Sequence, residues 1–162
     1  MRRTFAKTLL ELMDKNRDIY LLTGDLGHGV LDDIKKKYEH SGRFINCGIS
    51  EQLMIGMAAG MAAEGKIPVC YSISSFLLKR PFEFISINVD YDELPVKLVG
   101  TGKDKEYGLQ GFTHWMEDQQ EFIFNNFENI DFYQPQDKET LPEIVERFIL
   151  DTNPAYLSLS RF

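Results

Sequence analysis

Phe5, Leu9, Leu12 and Met13 recur at helical spacing among mostly polar neighbours, which predicts an amphipathic helix over residues 3–15. Ile19-Tyr20-Leu21-Leu22-Thr23 is a short, nearly continuous apolar run and reads as a buried strand. Gly24-Asp25-Leu26-Gly27-His28-Gly29 follows as a loop, with a short polar helix at about 31–38. Phe44-Ile45-Asn46-Cys47 reads as the next strand, ended by Gly48. Ser50 stands where it can cap a helix that runs to about Glu64 and stops at Gly65. Further strands are expected at 68–73, 95–99, 130–133 and 155–159. Further helices are expected at 79–90, near 115–124 and, introduced by Pro135, at about 138–151. Gly100 to Gly111 is rich in glycine and charge and reads as a long loop.

Strand and helix alternate throughout. That order implies an α/β fold, a three-layer sandwich in which helices cover both faces of a mostly parallel sheet of about six strands. Neither a linker nor an internal repeat interrupts the 162 residues, so one domain over 1–162 is expected. In such sheets ligands sit at the carboxyl ends of the strands. Three loops fall there, Gly24–Gly29, Gly48–Ser50 and Gly100–His114, and chemistry is to be sought in them.

Charge narrows the function classes. With 18 basic against 25 acidic residues the net charge is −7, which offers no electrostatic footprint for nucleic acid or for an anionic membrane. Cys47 and Cys70 are too far apart for a CxxC motif and read as buried thiols of a reducing compartment. No apolar run follows Met1-Arg2-Arg3-Thr4, as a signal peptide would need, so a cytoplasmic protein is expected. The apolar stretch Leu53–Ala63 is too short to span a bilayer, which takes about 20 residues.

Taken singly, the local signals are ordinary. Gly24-x-x-Gly27-x-Gly29 departs from the dinucleotide spacing and carries no Walker lysine, so it reads first as a turn between strand and helix. Glu51 at a helix start is what the helix dipole favours in a surface carboxylate. The helix after it, rich in Gly, Ala and Met, is apolar all round and must be buried, within the domain or under a partner. His114 alone reads as a hydrogen-bonded loop residue.

Read together and in order, these pieces resemble a known family. Phe44-Ile45-Asn46-Cys47-Gly48-Ile49-Ser50-Glu51-Gln52, then Gly56-Met57-Ala58-Ala59-Gly60-Met61-Ala62, Gly65 and Pro68, resembles the pyrimidine-binding domain of the transketolase family, with its G-I-x-E-Q signature. Gly24-Asp25-Leu26 resembles the family's G-D/A-D-L loop, and Ser74-Ser75-Phe76 its S-T-F segment. Gly111-Phe112-Thr113-His114 with Glu117-Asp118 resembles D-G-P-T-H-Q-x-x-E-D. Tyr133-Gln134-Pro135-Gln136-Asp137 resembles Y-P-S-D, and Leu157-Ser158-Leu159-Ser160-Arg161 the terminal I-x-L-S-R.

The resemblance implies a thiamine-diphosphate-binding fold and a set of roles. Glu51 matches the glutamate that contacts a ring nitrogen of the aminopyrimidine, a task for a carboxyl able to share a proton. Phe76 matches an aromatic stacked on the pyrimidine, and Ile49 lies in the cofactor-binding signature. Lys79 holds the place of a second aromatic, for which Phe82 is the substitute at hand. Asp25 matches an aspartate near the thiazolium and substrate, with holding of its loop as the competing role. His114 matches a histidine that hydrogen-bonds sugar hydroxyls, and Gln110 replaces an aspartate common in relatives. Arg161, with Arg2 or Arg3, matches arginines that bind substrate phosphate.

The family's pyrophosphate-domain motif G-D-G…N does not occur in these residues. The resemblance therefore implies that the diphosphate and its Mg2+ are held by a partner subunit, the N-terminal-side half of a split enzyme. A dimer of this chain within a heterotetramer is the simplest symmetric assembly. The implied activity is transfer of a two-carbon ketol unit between sugars. The alternatives are a deoxyxylulose-phosphate-synthase-like or pyruvate-dehydrogenase-β-like subunit, and a non-catalytic assembly module.

Overall fold

A computed structural model describes residues 1–117 and 119–162. Six strands form one sheet, β1 (Ile19–Thr23), β2 (Phe44–Asn46), β3 (Ile67–Ile73), β4 (Lys97–Thr101), β5 (Asp131–Tyr133) and β6 (Ala155–Leu159), in the order β2-β1-β3-β4-β6-β5. Every neighbouring pair is parallel. Parallel neighbours require crossovers, and these carry the helices.

Helices α1 (Arg2–Lys15), α2 (Asp32–Tyr38) and α7 (Leu141–Leu150) cover one face. Phe5, Leu9 and Met13 of α1 meet Val145, Phe148 and Ile149 of α7 over Leu21, Tyr71 and Leu157 of the sheet. The other face carries α3 (Glu51–Ala63), α4 (Ser74–Lys79), α5 (Phe82–Phe84) with the π-wound turn Ile85–Tyr91 that continues it, and α6 (Gln119–Phe124). Met54, Ile55 and Ala58 of α3 pack there on Leu22, Cys70 and Leu98. The result is the three-layer arrangement the alternation predicts, with a core on each face of the sheet. Cys70 is buried and Cys47 half-buried, and both are free thiols. Among the described residues no helix is long and apolar enough to cross a membrane.

Several boundaries differ from expectation, each for a physical reason. The helix expected at 79–90 begins instead at Ser74, directly off β3, and breaks at Pro81, whose ring supplies no N–H. β4 starts two residues later than expected, because Pro95 cannot join the ladder and Lys97 is the first residue registered with Val69 and Ala155. The helix expected near 115–124 is shortened to Gln119–Phe124, since Phe112–His114 forms a 3-10 turn and Glu117 bridges to Asp104. Helix α7 starts at Leu141 because Asp137 Oδ1 accepts from the amides of Glu139 and Thr140 and the Thr140 hydroxyl, holding a turn ahead of it. At α3 the cap position is Ser50, but its side chain makes no capping hydrogen bond. Gly65 (φ +77°) ends the helix as expected, its amide and that of Lys66 closing on Ala62 and Met61.

The chain leaves β1 for β2 on one side and returns to β3 on the other. The strand order therefore switches direction at β1 and β3, and their carboxyl ends flank the crevice where such sheets bind ligands.

Candidate active site

Glu51 is the first residue of α3, yet its carboxylate is not on the surface: the residue is only 2% exposed. It lies across the end of β1 towards β3, where Oε1 accepts the Ser72 hydroxyl at 3.2 Å. Gly24 lies against the carboxylate: a Cβ there would stand 3.3 Å from Oε1, a close contact, and 3.6 Å from the Ser72 hydroxyl, an ordinary one. Oε2 accepts Arg80 Nη1 at 2.8 Å in an ion pair whose arginine side chain is 40% exposed. A buried carboxylate needs such partners, since an unpaired one is costly.

Phe76, half-buried on α4, stands beside this pair. The Arg80 guanidinium carbon lies 3.8 Å from the Phe76 ring centroid. His114 meets the same ring edge-on at 4.7 Å. The Thr113–His114 turn is held to α4 by the Ser75 hydroxyl, which donates to the Thr113 carbonyl at 2.9 Å. Thr113 Oγ1 and His114 Nδ1 are 3.1 Å apart. Glu51, Phe76 and His114, from three separate stretches of sequence, thus form one contiguous cluster.

The other expected residues fall around it. Asp25, exposed at φ +56°, is engaged by Asn46: Asn46 Nδ2 donates to its carboxylate and Asn46 Oδ1 accepts its amide, each at 2.9 Å. Asn46 Oδ1 also accepts the Gly48 amide, so these contacts join the loops after β1 and β2. Ile49 is 75% exposed at the mouth of the crevice. Gln110 is exposed in the turn before His114. Phe82 does not pair with Phe76: it stacks on Phe127 at 5.5 Å, and Lys79 reaches the Trp115 carbonyl at 3.3 Å. The Phe76 ring is met by Arg80 and His114 instead. Asp118, part of the expected E-D pair, lies outside the described residues.

Arg2, Arg3 and Arg161 come together from opposite ends of the chain. They line a cavity of about 450 Å³ with Lys138 and His28, and among the described residues no Asp or Glu joins the lining. Arg2 Nε donates to the Arg161 carbonyl at 3.0 Å. Glu106 clamps the long loop to the end of the chain, accepting the Ser160 hydroxyl and the Arg161 amide. The Arg161 guanidinium lies 4.7 Å from the Tyr107 ring, which is 6.2 Å from His114. Tyr107 thereby joins the cationic cavity to the Glu51 cluster. Its ring fills the space beside Gly102, where any Cβ would overlap it, and its hydroxyl meets Thr101 Oγ1 at 3.1 Å. Burial pushes the neighbouring Tyr71 phenol well above its ordinary range.

Sequence reasoning missed Arg80, Ser72, Lys138 and Tyr107. Only Arg80 left a signal. It lies four residues after Phe76, a spacing that makes helical neighbours, but the expected helix begins after Phe76.

The pattern of the transketolase pyrimidine-binding domain matches residues 1–162. The chain is 34% identical to the 6-deoxy-6-sulfo-D-fructose transketolase subunit SqwH of Clostridium sp. (strain MSTE9), over 99% of this chain and 49% of that protein. It is 30% identical to an apulose-4-phosphate transketolase subunit of Phocaeicola vulgatus, over 99% of this chain and 51% of that one. Among solved structures, a split-gene transketolase described as an inactive β4 tetramer superposes with a TM-score of 0.84 at 29% identity, covering 99% of this chain and 50% of that one. The chain spans about half the length of the curated relatives it matches.

Proposed function

The chain belongs to the transketolase family through its pyrimidine-binding domain, and on that premise we propose that it is the pyrimidine-domain half of a thiamine-diphosphate-dependent enzyme that moves a two-carbon ketol unit between sugars. The observation that carries this reading is the buried Glu51 carboxylate at the carboxyl edge of the sheet, with the Phe76 ring and His114 gathered beside it.

The residues fit the cofactor's pyrimidine half. A carboxylate set against an aromatic face can hold a planar heterocycle with ring nitrogens, and Glu51 with Phe76 supplies that pair. Thiamine diphosphate, when bound, supplies the electron sink for a carbanion. Glu51 would hold and share a proton with a pyrimidine nitrogen, with Ser72 fixing the other carboxylate oxygen. Phe76 would present its ring to the pyrimidine, and Ile49 at the crevice mouth would help exclude water. His114, kept in place by Thr113 and Ser75, would hydrogen-bond sugar hydroxyls, with Gln110 nearby as an uncharged second donor. Asp25, its loop held by Asn46, would stand near the thiazolium and substrate.

The cationic cavity would take an acidic group at the far end of the sugar. Arg161 and Arg2, with Arg3 and Lys138, supply the charge, and guanidinium groups suit phosphate or sulfonate oxygens. A substrate with a terminal anion accords with the names of two relatives, whose sugars carry a sulfo or a phosphate group.

The diphosphate and its Mg2+ would be held by a pyrophosphate-domain partner subunit. The outer side of α3 supports this. Leu53 is 52% exposed, Gly56 and Gly60 leave its surface flat, and Phe84, Ile87 and Tyr91 extend the apolar area beside it. This face starts at Glu51 and Ile49, so a protein closing over the site would lie along it. The split-gene relative described as an inactive β4 tetramer accords with a chain that needs another for activity.

Calorimetry with thiamine diphosphate and Mg2+ tests the reading, on this chain alone and mixed with its pyrophosphate-domain partner. Binding is expected in the mixture, weakened at least about tenfold by Glu51→Ala or Phe76→Ala. Tight binding by the chain alone, or none in the mixture, would overturn it.

A further inference from the structure

In the free chain the two features assigned to the pyrimidine ring are already engaged, both by Arg80. Its guanidinium is planar and rich in N–H donors. Nη1 donates to Glu51 Oε2 at 2.8 Å, and the guanidinium carbon is 3.8 Å from the Phe76 ring centroid. An aminopyrimidine offers the same combination, a flat π surface with N–H donors at its rim. No other described side chain makes both contacts: Ser72 reaches only the other carboxylate oxygen, and His114 meets Phe76 edge-on.

From this overlap we infer that Arg80 is a stand-in for the pyrimidine ring, a positioning residue that holds Glu51 and Phe76 ready in the free chain and is displaced when the cofactor enters. The inference rests on the proposed function and adds a competitor within the chain itself. Three features support a displaceable group. The Arg80 side chain is 40% exposed, whereas Glu51 is buried, so the arginine can move into water while the carboxylate cannot. Arg80 is also the last residue before Pro81, at the end of a six-residue helix, where little holds its side chain except these two contacts. The exchange also leaves no buried charge alone, because the entering ring takes over the hydrogen bond that Arg80 gives up. The sequence explains why the contact forms at all: Arg80 caps α4 four residues after Phe76, with helical backbone, and β3 delivers both opposite the start of α3.

A site whose competent state is only fractionally populated binds with its affinity reduced by that fraction. Removing the stand-in should therefore tighten binding, the reverse of what removing an ordinary binding residue does. The experiment uses the chain assembled with its partner subunit, titrated with thiamine diphosphate and Mg2+, comparing the wild type with Arg80→Met and Arg80→Lys. Arg80→Met is expected to lower Kd by about fivefold or more. Arg80→Lys keeps a charge for Glu51 but loses the flat guanidinium, and is expected to fall between.

Binding that is unchanged or weaker in Arg80→Met, with the wild type binding normally, overturns the stand-in and leaves the proposed function intact. Absence of binding in all three overturns both. Arg80→Met also removes a partner of a buried carboxylate, so a measurement on the wild type stands beside it. The Arg80 Nε–H resonance in 15N-arginine-labelled protein should carry a ring-current shift from Phe76 in the free assembly. It is expected to move to the position of a solvated arginine on saturation with cofactor. A resonance that keeps its shift in the saturated complex overturns the inference whatever the variants do.

Discussion

Lys97 is a residue whose surroundings reverse its usual habit. It is the first residue of β4, has no exposed surface, and donates to the carbonyls of Asp151, at 2.8 Å, and of Asn153. Burial pulls its ammonium down to about 8. Between that value and the ordinary 10.5 the unfolded lysine holds a proton that the folded one does not, so the contribution of Lys97 to stability rises with pH across this window. Buried groups held protonated act the other way, the Cys70 thiol from about pH 9 and the Tyr71 and Tyr156 phenols from about pH 10, because their unfolded counterparts ionise first. Chemical denaturation of the free chain at pH 8 and pH 10 is expected to show the wild type gaining on the order of 2 kcal/mol relative to Lys97→Met, a comparison in which the thiols and phenols cancel. The same pH dependence in both proteins would assign the gain elsewhere. In sequence Lys97 looks like an ordinary charge at the middle of the expected strand 95–99. The sheet on both sides of it, with α7 above, makes it a core residue.

At the scale of elements, the close approach of β4 and β6 to α4 depends on Gly100. A Cβ there would overlap the Tyr156 hydroxyl and crowd the Ser74 hydroxyl, which are themselves hydrogen-bonded at 3.2 Å. Both groups are buried and rigid, so Gly100→Ala should cost more than about 2 kcal/mol in denaturant unfolding. Gly60 gives the contrast. It lies on the exposed side of α3 with nothing near its absent Cβ, and Gly60→Ala should stabilise the free chain by about 0.5–1 kcal/mol. Equal effects at the two sites would mean that the packing around Gly100 yields. The same scale explains the displaced boundaries. Hydrophobic period locates α1, β1, α3 and β6 closely, because each has an apolar face or run of its own. It misplaces α4, whose Ser74-Ser75 start is read from the sheet it leaves rather than from any period.

For the whole molecule, the outer face of α3 is where the fold stops burying its own apolar surface. Leu53→Asp should leave thermal unfolding of the free chain nearly unchanged, since the side chain is exposed and an early acidic residue suits the helix dipole. It should weaken assembly with the pyrophosphate-domain partner at least about tenfold, read by sedimentation or light scattering. Undiminished assembly would move the interface elsewhere. Alternating apolar runs and helical periods were enough, by themselves, to determine an α/β sandwich, and the ordered motifs around Glu51, Phe76, His114 and Arg161 were enough to determine the family. Both are properties that local spacing along one chain can carry. Only the tertiary structure decided that Arg80 rather than Phe82 accompanies Phe76, that Asp25 pairs with Asn46, and that Arg2, Arg3, Lys138 and Arg161 share one cavity. The first depends on α4 starting directly off β3; the other two depend on which strand ends lie side by side, an order set by parallel crossovers and packing across the sheet, which no local stretch of sequence contains.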